Sequence, residues 1–254
     1  MKNVKAALVT GASSGIGRCI AENLSKKGYK VYISARREDR LLELKAQLSD
    51  CEAITADLSK KEECFGLYEK VKDKNISVVV NCAGFGVFGE FSETDLDREL
   101  EMIDLNISAV HILTKLFLKD FVKKDSGYIL NVASSAGLLP AGPFMSTYYA
   151  SKSYVASLTS AIARELKERG SKVYVGALCP GPVDTEFNSV ANVKFNAKSI
   201  SAKECADYAV KKMFKRKTVI VPLLQIKAGI FSQRLLPRST ATAITGEIQK
   251  RKKI

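Results

Sequence analysis

One stretch near the N-terminus constrains the fold of this chain more than any other. A short β-prone run at 4–10 (VKAALVT) leads straight into Thr10-Gly11-Ala12-Ser13-Ser14-Gly15-Ile16-Gly17, and a helical pattern follows over 16–28. Glycines are needed in such a place for a tight turn, for close approach of a ligand and for packing of helix on strand. The free N–H groups and the dipole at the helix start suit a pyrophosphate. In its strand–turn–helix setting, the glycine-rich turn points to nucleotide binding.

The rest of the chain repeats the alternation. Strands are predicted at 30–34, 52–56, 76–81, 127–133, 172–178 and 218–221, with helices near 38–48, 60–74, 95–123, 148–169 and 202–216. Unbroken alternation of this kind implies an α/β fold: a doubly wound, seven-stranded parallel sheet with helices on both faces, in a single domain. Residues 1–222 make the body of that domain, and 223–254 form a basic, amphipathic extension of it.

Two helices stand out. In 95–123, Leu96, Leu100, Ile103, Ile107 and Val110 make one apolar stripe, and Leu105, Ala109, Ile112 and Leu116 make another, which predicts burial on two sides. In 148–169, Val155, Leu158, Ile162 and Leu166 line one face, beside the small residues Ala150, Ser153, Ser157 and Ser160. Both helices can either pack on the sheet or form a subunit interface.

Composition excludes several classes. The six cysteines are scattered with no C-x-x-C pair, which reads as reduced thiols in a cytoplasmic protein. His111 is the lone histidine and sits in an apolar helical pattern, so neither a zinc site nor a Ser-His-Asp hydrolase is expected; it is read as a packed helix residue. No signal peptide or membrane-spanning run is read. The formal charge is +13, and residues 203–254 carry 13 Lys/Arg against Glu204, Asp207 and Glu247. The basic character therefore belongs to the C-terminal fifth. A nucleic-acid binder is disfavoured, because no recognisable module is present and aromatics do not interleave with the basic residues.

Two further features carry chemistry. The second strand ends in Ile33-Ser34-Ala35-Arg36-Arg37, with no acid to take a ribose hydroxyl. A guanidinium there matches a 2′-phosphate, so Arg36 and Arg37 predict NADP(H), although Glu38 and Asp39 follow at once and can pair with them. Tyr148 and Lys152 stand at i and i+4 on one helical face. An ammonium near a phenol favours the phenolate, and so equips the tyrosine for acid–base work. Ser135 follows the strand at 127–133, where a parallel sheet places its functional loops.

Taken in order, these motifs resemble the short-chain dehydrogenase/reductase family over roughly residues 4–222. The turn at 10–17 supplies Gly11, Ser13, Ser14, Gly15, Ile16 and Gly17. Asp57 and Leu58 fall where the family contacts the adenine. Asn81-Cys82-Ala83-Gly84 resembles the family's Asn-Asn-Ala-Gly, with Cys82 the departure. Asn106 falls at the active-site asparagine, and Ser135 stands thirteen residues before Tyr148, the family's interval. Pro180-Gly181-Pro182-Val183-Asp184-Thr185 resembles the motif beside the nicotinamide, through Pro180, Gly181, Val183 and Thr185. The resemblance implies a Rossmann-type fold and an NADPH-dependent reductase. In it Tyr148 donates the proton to a carbonyl, Ser135 hydrogen-bonds that oxygen, and Lys152 binds the nicotinamide ribose and lowers the Tyr148 pKa. Asn106 holds a water in a proton relay. Asn81, Ala83 and Gly84 join the cofactor-binding set. An NAD-dependent alcohol dehydrogenase and a non-catalytic NADP(H)-binding regulator are the alternatives on the same fold.

Three segments, 84–91, 136–147 and 186–199, should face the substrate. Phe85, Phe88, Leu138, Leu139, Phe144, Met145, Phe187 and Phe195 are candidate liners, and they suggest an apolar carbonyl: a ketone, a steroid-like molecule or an acyl chain. In the tail, Leu223, Ile226, Ile230 and Phe231 share a helical face that Pro237 limits, and Lys250-Arg251-Lys252-Lys253 form a basic end. Such a segment can close the fold with a solvated tail, cover the pocket or a partner, or lie weakly on an anionic membrane surface. The resemblance also implies a homodimer or homotetramer.

Overall fold

The computed structural model describes residues 5–191 and 199–251. In chain order the strands are β1 (Ala6–Thr10), β2 (Lys30–Ala35), β3 (Cys51–Thr55), β4 (Ile76–Asn81), β5 (Gly127–Val132), β6 (Val173–Leu178), β7 (Val183–Asp184), β8 (Ile200–Ser201) and β9 (Val219–Ile220). Seven of them form one parallel sheet in the order β3-β2-β1-β4-β5-β6-β9. The seven predicted strands are all present. The small parallel pair β7–β8 was not foreseen.

The helices are α1 (Gly15–Lys26), α2 (Glu38–Gln47), α3 (Lys61–Val71), α4 (Leu96–Ile103), α5 (Val110–Lys124), α6 (Ser146–Glu168), α7 (Phe187–Val190), α8 (Ala202–Phe214), α9 (Leu224–Gln233) and α10 (Arg238–Lys250). Successive strand residues point to opposite faces. Ala6 and Leu8 of β1 therefore enter the core formed with α3, α5 and α6, where Leu67, Phe117, Phe121 and Leu166 lie. Ala7 and Val9 enter the opposite core with α1, α2 and α8, among Ile20, Leu24, Leu44 and Met213. Every residue of β1 is buried, as a strand covered on both faces requires. The chain places β2 on one side of β1 and β4 on the other, so a crevice opens outside the carboxyl ends of β1 and β4.

A buried polar ladder ties the middle of the sheet to two helices. The Asn81 amide donates to Thr114 Oγ1 (3.1 Å) and to Asn131 Oδ1 (2.8 Å), and the Asn131 amide donates to Thr159 Oγ1 (3.0 Å). This joins β4 and β5 to α5 and α6.

Three expectations change. The single helix expected over 95–123 is interrupted by a π-helical turn, Asp104–Ala109. The wider turn shifts the phase of the helix. Leu96 and Leu100 are consequently 67% and 47% exposed, while Met102, Leu105, Val110, Leu113 and Phe117 face inward. His111 is exposed rather than packed, and its Nδ1 lies 2.7 Å from the Tyr154 hydroxyl. Beyond Pro237 a further helix, α10, was not foreseen, and it buries Ala241, Thr245 and Gln249. Pro237, whose fixed φ suits a helix start, stands as its N-cap. The Gln249 amide hydrogen-bonds the Tyr149 hydroxyl. In α9, Ile226 and Ile230 pack with Val155 and Val221, so this segment is continuous with the main body. No helix among the described residues is long and apolar enough to cross a membrane.

Candidate active site

A cleft of about 500 Å³ runs along the carboxyl ends of β1, β4, β5 and β6. The turn after β1 forms its floor. Gly11 has φ +65°, and a Cβ there would stand 2.7 Å from the Ala83 nitrogen, so no side chain fits. The buried Thr10 hydroxyl accepts the Cys82 N–H (3.0 Å) and the Ala83 N–H (3.2 Å), locking the ends of β1 and β4 together. Cys82, standing where the family has asparagine, has its thiol pushed up to about 12 by burial.

At one end lie the two arginines. Arg37 donates to Ser13 Oγ (3.1 Å) and Ser14 Oγ (3.0 Å), so three polar side chains converge beside the turn. The carboxylates the arginines reach are distant in sequence, not the adjacent Glu38 and Asp39. Arg36 pairs with Glu101 at 2.6 Å and Arg37 with Glu186 at 2.8 Å. Glu101 also holds Arg98, whose guanidinium lies 3.9 Å over the Phe85 ring.

At the other end, α6 delivers Tyr148 and Lys152, both buried. Burial pushes the Tyr148 phenol up to about 12, opposed by a hydrogen bond from Ser134. Burial also lowers the Lys152 ammonium to about 8. Its Nζ donates to the Val132 carbonyl (3.1 Å) and lies 5.9 Å from the centre of the Tyr148 ring. Two serines, Ser134 and Ser135, stand at this end of the cleft. Ser134, fourteen residues before Tyr148, lines the cleft and favours the ionised phenol, while its Oγ accepts the Ala136 N–H at 3.1 Å. Ser135 lines the cleft as well, and its backbone N–H donates to the Pro180 carbonyl at 2.7 Å.

Asn106 sits in the π-helical turn and is fully buried. Its amide donates to the Phe85 carbonyl (2.9 Å) and to Ser151 Oγ (3.1 Å), and its Oδ1 accepts the Phe85 N–H (3.1 Å). It approaches Lys152 across Gly84, where a Cβ would stand 2.7 Å from Asn106 Oδ1 and 3.2 Å from Lys152 Nζ. A glycine there keeps this approach open.

The other expected residues divide clearly. Gly11, Ser13, Ser14, Gly15, Ile16, Gly17, Leu58, Ala83, Gly84, Pro180, Gly181, Val183 and Thr185 all line the cleft. Asp57 does not, and its Oδ1 accepts from the Ser59 N–H and hydroxyl instead. Asn81 is spent in the polar ladder rather than on the cleft. Of the expected substrate liners, Phe85, Met145 and Phe187 face the cleft. Leu138, Leu139 and Phe88 pack into the cores, and Phe144 stacks on Phe88 outside the cleft. Phe195 lies outside the described residues. Tyr149, which was not among the expected site residues, also lines the cleft. A dinucleotide fits this set: a turn that no side chain obstructs at Gly11, hydroxyl and guanidinium groups at one end, and an ammonium and a phenol at the other.

Comparison with known proteins agrees with this geometry. The short chain dehydrogenase family profile matches residues 5–194. An uncharacterized oxidoreductase of Staphylococcus saprophyticus is 36% identical over 217 residues, covering 81% of this chain and 91% of the relative. A short-chain dehydrogenase from Sphingobium yanoikuyae, solved with NADPH, superposes with a TM-score of 0.83 at 29% identity, covering 91% and 92% of the two chains. A Burkholderia phymatum short chain dehydrogenase/reductase, solved with NAD, superposes with a TM-score of 0.82 at 24% identity, covering 90% and 92%; at that identity it speaks for the fold alone.

Proposed function

The chain belongs to the short-chain dehydrogenase family, and on that premise we propose that it is an NADPH-dependent reductase of an apolar carbonyl compound. One observation carries the reading: a single cleft holds Tyr148, Lys152 and Ser134 at one end and Arg37, Ser13 and Ser14 at the other.

NADP(H) supplies the hydride when bound. The turn from Gly11 to Gly17 holds its pyrophosphate, Arg37 with Ser13 and Ser14 takes the 2′-phosphate, and Lys152 and Thr185 serve the nicotinamide half. Tyr148, protonated at neutral pH because burial raises it, gives its proton to the carbonyl oxygen. Ser134 hydrogen-bonds the same oxygen as charge develops there. Lys152, still largely cationic at pH 7, favours the phenolate left behind. Asn106 anchors the backbone of Phe85 and borders Lys152 across Gly84, in place to support proton return from solvent. Phe85, Met145 and Phe187 exclude water and favour an apolar ketone, steroid-like molecule or acyl chain.

The proposal extends to assembly and setting. Leu96, Leu100 and Tyr154 leave an apolar face open on α4 and α6, which suits a homodimer or homotetramer. Leu224, Phe231 and Leu235 are exposed beside Lys227 and Arg234, a combination that suits weak contact with an anionic membrane surface. Six free thiols suit a cytoplasmic setting.

The test is fluorescence titration with NADPH and NADH on the wild type and on the Arg36→Ala/Arg37→Ala double variant, followed by a carbonyl screen with Tyr148→Phe as the blank. Preferential NADPH binding that the double variant loses, with turnover that the blank lacks, supports the reading. Equal binding of NADH redirects it to an NAD-dependent alcohol dehydrogenase. Binding without turnover on any carbonyl favours a non-catalytic regulator.

A further inference from the structure

The guanidinium assigned to the 2′-phosphate is already in the hands of a carboxylate. Arg37 Nη2 donates to Ser13 and Ser14, and Arg37 Nη1 meets Glu186 Oε2 at 2.8 Å. Glu186 also hydrogen-bonds Ser14, and the Arg37 contact holds its carboxyl below the usual range. One carboxylate therefore engages two of the three groups that form the phosphate seat. It comes from across the cleft, from the segment that follows Thr185.

That segment carries a second contact. Glu186 is the N-cap residue of the short helix α7, and the Val190 N–H donates to its carbonyl at 3.1 Å. The next residue, Phe187, lays its ring against Tyr148 with centroids 5.4 Å apart, and it also crowds Gly86. The anchor at Glu186 and the cover over the proton donor are thus adjacent residues on one short element.

We infer that Glu186 is a coenzyme-selectivity residue: it fills the 2′-phosphate seat on Arg37, and a coenzyme bearing that phosphate must displace it, loosening the Phe187 cover over Tyr148. The inference rests on the reading of Arg37 as the 2′-phosphate ligand. A phosphomonoester carries close to two charges and three acceptor oxygens, so it out-competes one carboxylate for the guanidinium. Two anions do not share one cationic seat comfortably. Arg40 Nη2 stands 4.0 Å from Glu186 Oε1 and offers the displaced carboxylate a new partner. NADH has no 2′-phosphate and leaves the Arg37–Glu186 pair intact.

The pair is nearly half exposed on both sides, 45% and 42%, so its effect is modest. Calorimetric titration of wild type and Glu186→Gln with NADPH, NADH, 2′,5′-ADP and 5′-AMP reads it directly. Glu186→Gln is expected to tighten NADPH and 2′,5′-ADP about two- to five-fold, the range of an exposed ion pair, and to leave NADH and 5′-AMP unchanged. The gain should shrink in about 0.5 M salt. Hydrogen exchange at the Val190 and Ala191 amides supplies a second readout. In the wild type, 2′,5′-ADP should speed it and 5′-AMP should not, whereas in Glu186→Gln it should be fast from the start. Unchanged or weaker NADPH binding by Glu186→Gln, in a protein that prefers NADPH, overturns the role of Glu186 and spares the coenzyme assignment. A wild type that prefers neither NADPH over NADH nor 2′,5′-ADP over 5′-AMP overturns both.

Discussion

Lys152 should be a site where the chain gains stability by losing function. Its ammonium is buried, and burial lowers it from an ordinary 10.5 to about 8. At roughly 1.4 kcal/mol per factor of ten, holding that charge inside destabilises the native state by about 3 kcal/mol below pH 8. The sign follows from proton binding. Between pH 8 and 10.5 the unfolded chain binds the proton that the native chain has lost, so stability rises through that window and the penalty is gone above it. Lys152→Met keeps the length of the side chain and removes the charge. It also removes the bond to the Val132 carbonyl (3.1 Å), worth about 1 kcal/mol. The net gain at pH 7 is about 2 kcal/mol, or about 4 °C in Tm for a chain of this length. Scanning calorimetry without coenzyme, at pH 7 and again near pH 10.5, checks it. The variant should melt higher at pH 7, lose that advantage at the alkaline end, and show no carbonyl turnover. A variant that melts lower at pH 7, or whose advantage does not change with pH, refutes the reasoning.

Three further outcomes are expected. Ser134→Ala should lower kcat about 10²- to 10³-fold in a steady-state assay, whereas Ser135→Ala should stay near wild type, because it is the hydroxyl at 134 that favours the ionised Tyr148 phenol. Asn81→Ala removes the central donor of the buried ladder and leaves Asn131 Oδ1 with the Thr114 hydroxyl as its remaining donor, so urea unfolding should show a loss of about 1–3 kcal/mol. Reductive kcat should fall as pH rises through about 8, where Lys152 loses its charge, and Lys152→Arg, which titrates far higher, should move that limb up if it retains activity.

What was legible in the sequence follows from what each feature depends on. The central strands β1, β4, β5 and β6 are apolar runs buried on nearly every residue, so local composition declares them; β4 begins and ends as read, and β1 differs only at its start. The glycine-rich turn and the Tyr148/Lys152 pair are local spacings, and they meet in one cleft. The π-helical turn at 104–109 has no local signature, and without it Leu96 and Leu100 were assigned to the wrong side. Helix α10 buries Ala241, Thr245 and Gln249, a small and polar face that no hydrophobic stripe announces. The serine was placed by an interval, and an interval assumes the length of the loop between β5 and α6; here both Ser134 and Ser135 come to the cleft. Pairings such as Arg37 with Glu186 join positions about 150 residues apart, which no spacing argument reaches.

The six unpaired thiols have a practical consequence of their own. Cys64, Cys179 and Cys205 are completely enclosed, and each is pushed up to about 12. At pH 8 only about one such group in ten thousand is ionised, and the ionised sulfur is the one that reacts. Cys19, Cys51 and Cys82 are partly exposed, so an alkylating reagent should reach these before the enclosed three. Cys64 lies on the α3 side of the sheet and Cys205 on the α8 side. Timed alkylation read by peptide mass would therefore report which half of the molecule breathes open first, with the native chain serving as its own clock and no label built in.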